Sequence, residues 1–239
     1  MQRPYQLHEN PMSRQIIFAV TLLVTIGAFA FTVSRIMKYF SFTRPAFPIR
    51  DPGKRFNLML KVAFGQTKIF RRPVIGFFHA LVFWRFCVIL FGSLEMVIDG
   101  LSGSEKVFKF LGPVHSFFMA SGDVFAVLVA VSIIIFLSRR LFFHIKRFEG
   151  PELKHRSHID AATALTLILL LMVSLLTMNT GYVGSKSISG EEIAGLYPVS
   201  AIFAGAVNGM SEKSFLLMSE ISWWVHILLI FVFANYLPY

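Results

Sequence analysis

A single cysteine, Cys87, stands in a chain of 239 residues, and acids are sparse too: 13 Asp and Glu against 23 Lys and Arg. The lone thiol excludes a disulfide within the chain. It also excludes an iron–sulfur cluster held by this chain, since a cluster takes about four thiolates. Cys87 sits inside an apolar run and reads as a small packing residue. Charged residues make up only 15% of the chain, against about 25% in an ordinary soluble domain. Internal repeats and low-complexity tracts are missing as well, which leaves one domain.

What replaces charge is apolar surface. Hydrophobic residues reach 55%, 27 of them phenylalanine, and the mean hydropathy is +0.66. Residues 15–34, 161–183 and 221–239 carry no charge over 20, 23 and 19 positions. Residues 124–138 extend a further run back past Asp123, and 73–98 is interrupted only by Arg85 and Glu95. A helix of about 20 such residues crosses the hydrocarbon core. The first run is too long for the apolar part of a signal peptide and lacks a small-residue cleavage site after it, so it reads as a true span. These features predict an all-α, five-span transmembrane bundle, with spans at about 15–38, 73–98, 114–138, 160–183 and 221–239.

The net charge of +10 is distributed as a topology signal rather than as a nucleic-acid footprint. Nine Lys or Arg fall in 38–72 and six in 139–159, whereas 99–113 and 184–220 hold two each. Positive-inside bias assigns the two basic segments to the cytoplasm, the N-terminus outside and the C-terminus inside. Within the first basic segment, apolar residues between lysines suggest an amphipathic surface helix over about 56–70. Residues 193–211 are also uncharged, but their proline, asparagine and glycines make a poor span, and a non-spanning outer segment is expected there.

Depth sorts the seven histidines. His8 lies in a polar tail. His144, His155 and His158 lie in the basic loop, where the "HRSH" spacing has no clustered carboxylate or further histidine and reads as solvated. His79 and His226 lie within spans, where ionisable residues are costly and usually face the bundle interior. Each is either a neutral, hydrogen-bonded core histidine or an axial ligand of haem iron, for which imidazole suits and facing helices provide the site. The two sit near opposite faces of the membrane, so each would need its own partner. His115, at the start of the third span, is a candidate on the outer side or an interfacial residue. Arg85 needs an anion, either a haem propionate or Asp123 or Glu95. Asp160 either caps the fourth helix or serves a quinone or proton site. Trp223 and Trp224 fit an outer aromatic belt or a wall beside a flat cofactor.

The stretches "GQTKIFRRPVIGFFHALVFWRFCVILFGSLEMVIDG", "LTMNTG" and "WWVHILLIFVFANYLPY" resemble the membrane domain of iron–sulfur oxidoreductases related to heterodisulfide reductase. That domain is similar to the respiratory nitrate reductase gamma subunit, a five-span cytochrome b with its N-terminus outside. The resemblance covers about residues 13–239. It implies two histidines ten residues apart in the second span and two more eighteen apart in the last. His79 matches the first of one pair and Ile89 the second; His226 matches the first of the other, whose mate would fall five residues beyond Tyr239. The implied inner haem joins His79 to a residue past this chain, and the implied outer haem has His226, with His115 as a replacement ligand.

The resulting expectation is a multi-pass protein of a bacterial inner membrane that relays electrons between a menaquinone or ubiquinone pool and a cytoplasmic iron–sulfur domain. One or two b-type haems would carry the electrons, iron–sulfur clusters would belong only to a downstream domain or partner, and no catalytic site is expected in this chain alone. The competing expectation is a structural anchor that has lost one or both haems, to which Ile89 points. A small transporter is disfavoured by the lack of an inverted repeat.

Overall fold

The computed structural model describes residues 11–43, 50–71, 73–142, 155–207 and 209–238, with backbone alone at 11, 74–82, 84–86, 139–142 and 155–158. The chain runs α1 (Pro11–Phe40), α2 (Pro52–Met59), α3 (Pro73–Ser102), α4 (Pro113–Phe142), α5 (His155–Ser189), α6 (Pro198–Ala206) and α7 (Glu212–Tyr236). Among the described residues there is no strand. Four helical stretches are long and apolar enough to cross a membrane: Met12–Phe40, Pro113–Ser138, Ile159–Ser189 and Glu212–Tyr236. The 30 residues of α3 equal α1 and α4 in length, or about 45 Å of rise. Proline opens α1 to α4 and α6, where its missing N–H costs nothing.

Two helices begin well before the expected spans. α7 starts nine residues ahead of 221 because its start signal lies outside the apolar run: Ser211 accepts a hydrogen bond from Ser214 N–H at 3.2 Å, and Glu212 occupies the first turn. α5 starts at His155 rather than 160, so Asp160 is the sixth residue of the helix and not its cap. Instead its carboxylate receives the Tyr236 hydroxyl, tying the start of α5 to the end of α7. The continuous helix expected over 56–70 is in pieces. α2 passes into a π turn at Leu60–Phe64, and a 3₁₀ turn follows at Ile69–Arg71. Within 193–211, α6 has nine residues, or about 14 Å of rise, half of a core about 30 Å thick.

The most extensive pairing is α5 with α7. A Cβ on Gly181 would lie 2.6 Å from Ser219 N and 2.7 Å from Phe215 O, and one on Gly184 would strike the Phe215 ring at 2.4 Å. Without side chains at these positions the two backbones approach directly, which is how helices associate where lipid supplies no hydrophobic drive. Beside that seam α1 and α3 meet α7 around Phe18, which is fully buried with Met96, Met178, Ile227 and Phe231. Trp223 and Trp224 pack on the Phe18 ring at 5.5 and 6.3 Å.

Asp123 explains how α6 is held. The helix leaves its first N–H groups without intrahelical partners. The Asp123 side chain of α4 reaches across to accept Val199 N–H at 2.8 Å, Ser200 N–H at 2.9 Å and the Ser200 hydroxyl, while Asn179 Nδ2 approaches at 3.4 Å. A buried carboxylate is thus fully hydrogen-bonded and sits at the positive end of a helix.

Candidate functional site

A cleft opens where α3, α4, α5 and α7 meet, enclosing about 710 Å³ including the part that faces outward. Its walls are apolar, and its few polar side chains include Glu95, Asp123, Asn179 and His226. Along α5 the lining runs from Leu171 to Asn179, about 12 Å at about 1.5 Å per residue. Two wall positions are bare: Gly92 on α3 and Gly122 on α4 line the cleft, and a Cβ on either would have nothing within 4 Å. Four of the ten methionines, Met96, Met119, Met172 and Met178, line it as well. Thioethers are polarisable and conform to irregular or flat ligands.

His226 is anchored through one ring nitrogen. The Ser174 hydroxyl lies 3.0 Å from Leu171 O and 2.9 Å from His226 Nδ1; with its single proton on Leu171 O, it accepts from Nδ1–H. Nε2 of this neutral ring then carries a lone pair, and it makes no hydrogen bond among the described residues. His226 is 6% exposed and lines the cleft. An imidazole whose far nitrogen is anchored while the near one is free is the arrangement of a metal-ligating histidine.

The other sequence-predicted residues fall elsewhere. Ile89 lines the same cleft as His226, and its side chain has no donor atom. His115 does not line it. It is 1% exposed, and Nε2 lies 3.0 Å from Glu95 Oε1, which also accepts Phe108 N–H at 3.0 Å. That nitrogen is engaged, so His115 does not replace Ile89 as a donor facing His226. The side chains of His79 and Arg85 lie outside the described residues, as do His8, His144, His155 and His158. Both acids weighed as partners of Arg85 already have hydrogen bonds, Asp123 to α6 and Glu95 to His115 and Phe108. Asp160 is exposed and does not line the cleft; Leu171, on the same helix, is about 16 Å of helix away. Trp223 and Trp224 back the Phe18 core and are not part of the cleft wall. Among the described residues, no group of three or more His, Cys, Asp or Glu could hold a bare metal ion.

Sequence reasoning missed the end of the cleft beside the α3–α4 turn. There Glu95 and His115, twenty residues apart on α3 and α4, are both buried to 1% exposure. Asp99 accepts the N–H groups of Lys106 and Val107 at 3.0 and 2.9 Å, fixing the turn that follows α3. Lys106 adopts φ 55°, a left-handed conformation that costs a non-glycine residue energy, and its Nζ lies 5.6 Å from the Tyr182 and Tyr197 rings. Burial opposes the Lys106 charge, but Tyr197 and Glu95 beside it win and hold the ammonium above the usual lysine range. Burial pushes the Tyr197 hydroxyl up in turn. No spacing rule joins these residues. The only signal available was an acid and a histidine each next to an apolar run.

No family model matches the chain, and no solved structure matches it. Two curated proteins do. One, "Probable iron-sulfur-binding oxidoreductase FadF" of Bacillus subtilis (strain 168), is 21% identical over 230 residues, 95% of this chain and 30% of that protein. The other, "EtfAB:quinone oxidoreductase" of Syntrophomonas wolfei subsp. wolfei (strain DSM 2245B / Goettingen), is 23% identical over 230 residues, 92% of this chain and 30% of that protein. Along nearly its whole length, this all-helical chain is similar to a part, about a third, of two much longer oxidoreductases.

Proposed function

We propose that this chain is the membrane electron-transfer part of a respiratory oxidoreductase, relaying electrons between quinone and a cytoplasmic iron–sulfur domain or partner through b-type haem. The observation that carries this reading is a buried imidazole, His226, that is anchored to the Ser174 hydroxyl through Nδ1 and lines an apolar cleft. The names of the two relatives support the redox setting, one iron–sulfur-binding and one acting on quinone. The likeness to the nitrate reductase gamma type of cytochrome b agrees with five spans in a bacterial inner membrane, the N-terminus outside and the C-terminus in the cytoplasm.

In this proposal His226 would hold a haem in the cleft and His79 a separate one, with Arg85 as the candidate partner of a propionate. The cleft residues fit a flat group held through one imidazole. Ile89 offers no second nitrogen, and His115 is engaged elsewhere. When bound, haem supplies one-electron exchange. The protein fixes the His226 ring through Ser174 and excludes water with a wall of Leu, Met and Phe. The test is a visible spectrum of the dithionite-reduced, full-length protein purified from membranes. A b-type absorption that loses one component in His226→Ala and another in His79→Ala is expected.

A second reading, a structural anchor whose haem sites have decayed, is favoured by Ile89 lining the cleft opposite an otherwise suitable histidine. It predicts full assembly with the iron–sulfur partner and no b-type absorption.

A further inference from the structure

The Glu95–His115 pair is the part of the molecule that electron transfer through His226 leaves unexplained. A carboxylate and an imidazole, each 1% exposed, meet at 3.0 Å within a membrane-spanning bundle. Ionisable groups at such a place are costly and mark ion, proton or substrate paths more often than they mark packing. Glu95 is also part of the cleft wall. Its Oε1 is occupied by His115 and Phe108 N–H, while Oε2 carries no hydrogen bond among the described residues. An unpartnered carboxylate oxygen on a side chain 2% exposed therefore belongs to the same cavity as His226. Beside it the wall is aromatic: Phe118 lines the cleft and stacks on Phe91 at 4.4 Å, with Phe108 against Phe91 at 4.9 Å. The bare glycine positions at Gly92 and Gly122 admit a flat ring close to the helix backbones.

We infer that the end of this cleft beside the α3–α4 turn binds the ring of a quinone, and that Glu95 and His115 exchange its protons with the outer side. The inference rests on the proposed function for its source of electrons. The quinone/quinol couple fits each feature: an apolar ring for the Phe and Met walls, and a quinol hydroxyl that donates to the free carboxylate oxygen. Its interconversion is quinone + 2 electrons + 2 protons ⇌ quinol. The electrons pass one at a time to or from an iron carrier, haem or iron–sulfur. On quinol oxidation a hydroxyl O–H breaks and its proton passes to Glu95 Oε2. His115, three residues into α4 at its outer end, takes that proton onward under the 190–197 loop, where Gly195 lies against its ring. The second proton follows the same route in the second one-electron step. Other charged or titratable groups around Glu95 are Asp99 on its own helix, Lys106 in the following turn, and Tyr197 at the start of α6. His115 is a positioning and relay residue; Glu95 alone touches substrate.

The experiment uses the full-length protein in its membranes, with menadione and menadiol as probes and ferricyanide as one-electron iron acceptor. Menadione should bind the wild type, and Gly122→Leu, which fills open space without a clash, should weaken binding at least about tenfold with the unfolding temperature unchanged. Gly92→Leu provides the same test from α3 should Gly122→Leu fail to accumulate. Glu95→Gln should keep menadione affinity and lower the maximal rate of menadiol oxidation about 100-fold, the usual contribution of a positioned acid–base group. Glu95→Asp should recover part of that rate, and His115→Gln should alter the pH profile of the rate rather than the affinity. Unchanged binding in a folded glycine variant overturns the site, and an unchanged rate in Glu95→Gln overturns the proton assignment. Menadione binding without b-type absorption would refute the haem reading alone, and absorption without binding would refute this inference alone.

Discussion

His226 and His115 are the two buried histidines of the described structure, and they are used in opposite ways. Both are at least nine-tenths buried, and both contact a side chain from another helix. His226 has Nδ1 on a serine and itself lines the cleft, whereas His115 does not line it and has Nε2 engaged with Glu95, a buried acid of the cleft wall. Burial alone therefore says little about what a histidine does. The partner on the second nitrogen decides whether the first is available. The largest expected effect separates the two outright. His226→Ala should remove the cleft component of the reduced visible spectrum entirely, and His115→Ala should leave it in place. Equal loss in both variants would mean that the two histidines belong to one site.

Stability should reverse that order. In His115→Ala the Glu95 carboxylate stays buried without its imidazole, a loss of about 3 kcal/mol. Chemical unfolding in detergent would measure it, and the double variant Glu95→Gln/His115→Ala should recover part of the loss by removing the charge. His226→Ala leaves only a serine hydroxyl that still has Leu171 O as acceptor, so it should cost less than His115→Ala. A larger cost for His226→Ala would show that its role is packing.

The sequence located the long apolar segments, four of which are helices long and apolar enough to cross a membrane, because length and composition need no partner to be read. Depth alone singled out His226. It could not reveal Ser174, 52 residues away, since a serine in an apolar helix most often bonds back to its own chain. Nor could it join Glu95 to His115, because antiparallel helices pair residues whose spacing depends on the loop between them. Here that loop contains a strained Lys106 and a 3₁₀ turn at Val107–Leu111. The cap, one of two roles weighed for Asp160, fails for the opposite reason. The helix start was read from where the apolar run begins, while α5 starts five residues earlier among polar side chains. Cleft walls were beyond reach, since a glycine such as Gly92 leaves no pattern until its neighbours are known to stand clear of it.

A smaller effect examines how His226 is aimed. Ser174→Ala removes the acceptor of Nδ1–H without touching the cleft. Losing such an outer partner typically costs about 10-fold or more in metal-centre affinity. Haem content in Ser174→Ala should therefore fall under limiting haem and recover when haem is supplied in excess. His115→Ala should show no such dependence. A Ser174→Ala protein with normal haem retention would mean that helix packing, not the hydrogen bond, orients the ring.

The smallest effect belongs to a third pair, one open to its surroundings. Arg14 and Glu220 approach to 3.3 Å, with the guanidinium 5.1 Å from the centre of the Trp223 ring. In geometry this ion pair is nearly as close as Glu95 and His115, but its side chains are 41% and 32% exposed. Water and salt screen it, and two long side chains must be ordered to make it, so Arg14→Ala should cost about 0.5 kcal/mol and less at high salt. The contrast with the loss of about 3 kcal/mol in His115→Ala then measures what burial does to a polar contact of similar length. If the two variants lost equal stability, or if salt moved both alike, the Glu95–His115 pair would have to be reached by water. The distinction between a sealed proton pair beside the cleft and an ordinary surface contact would then fail.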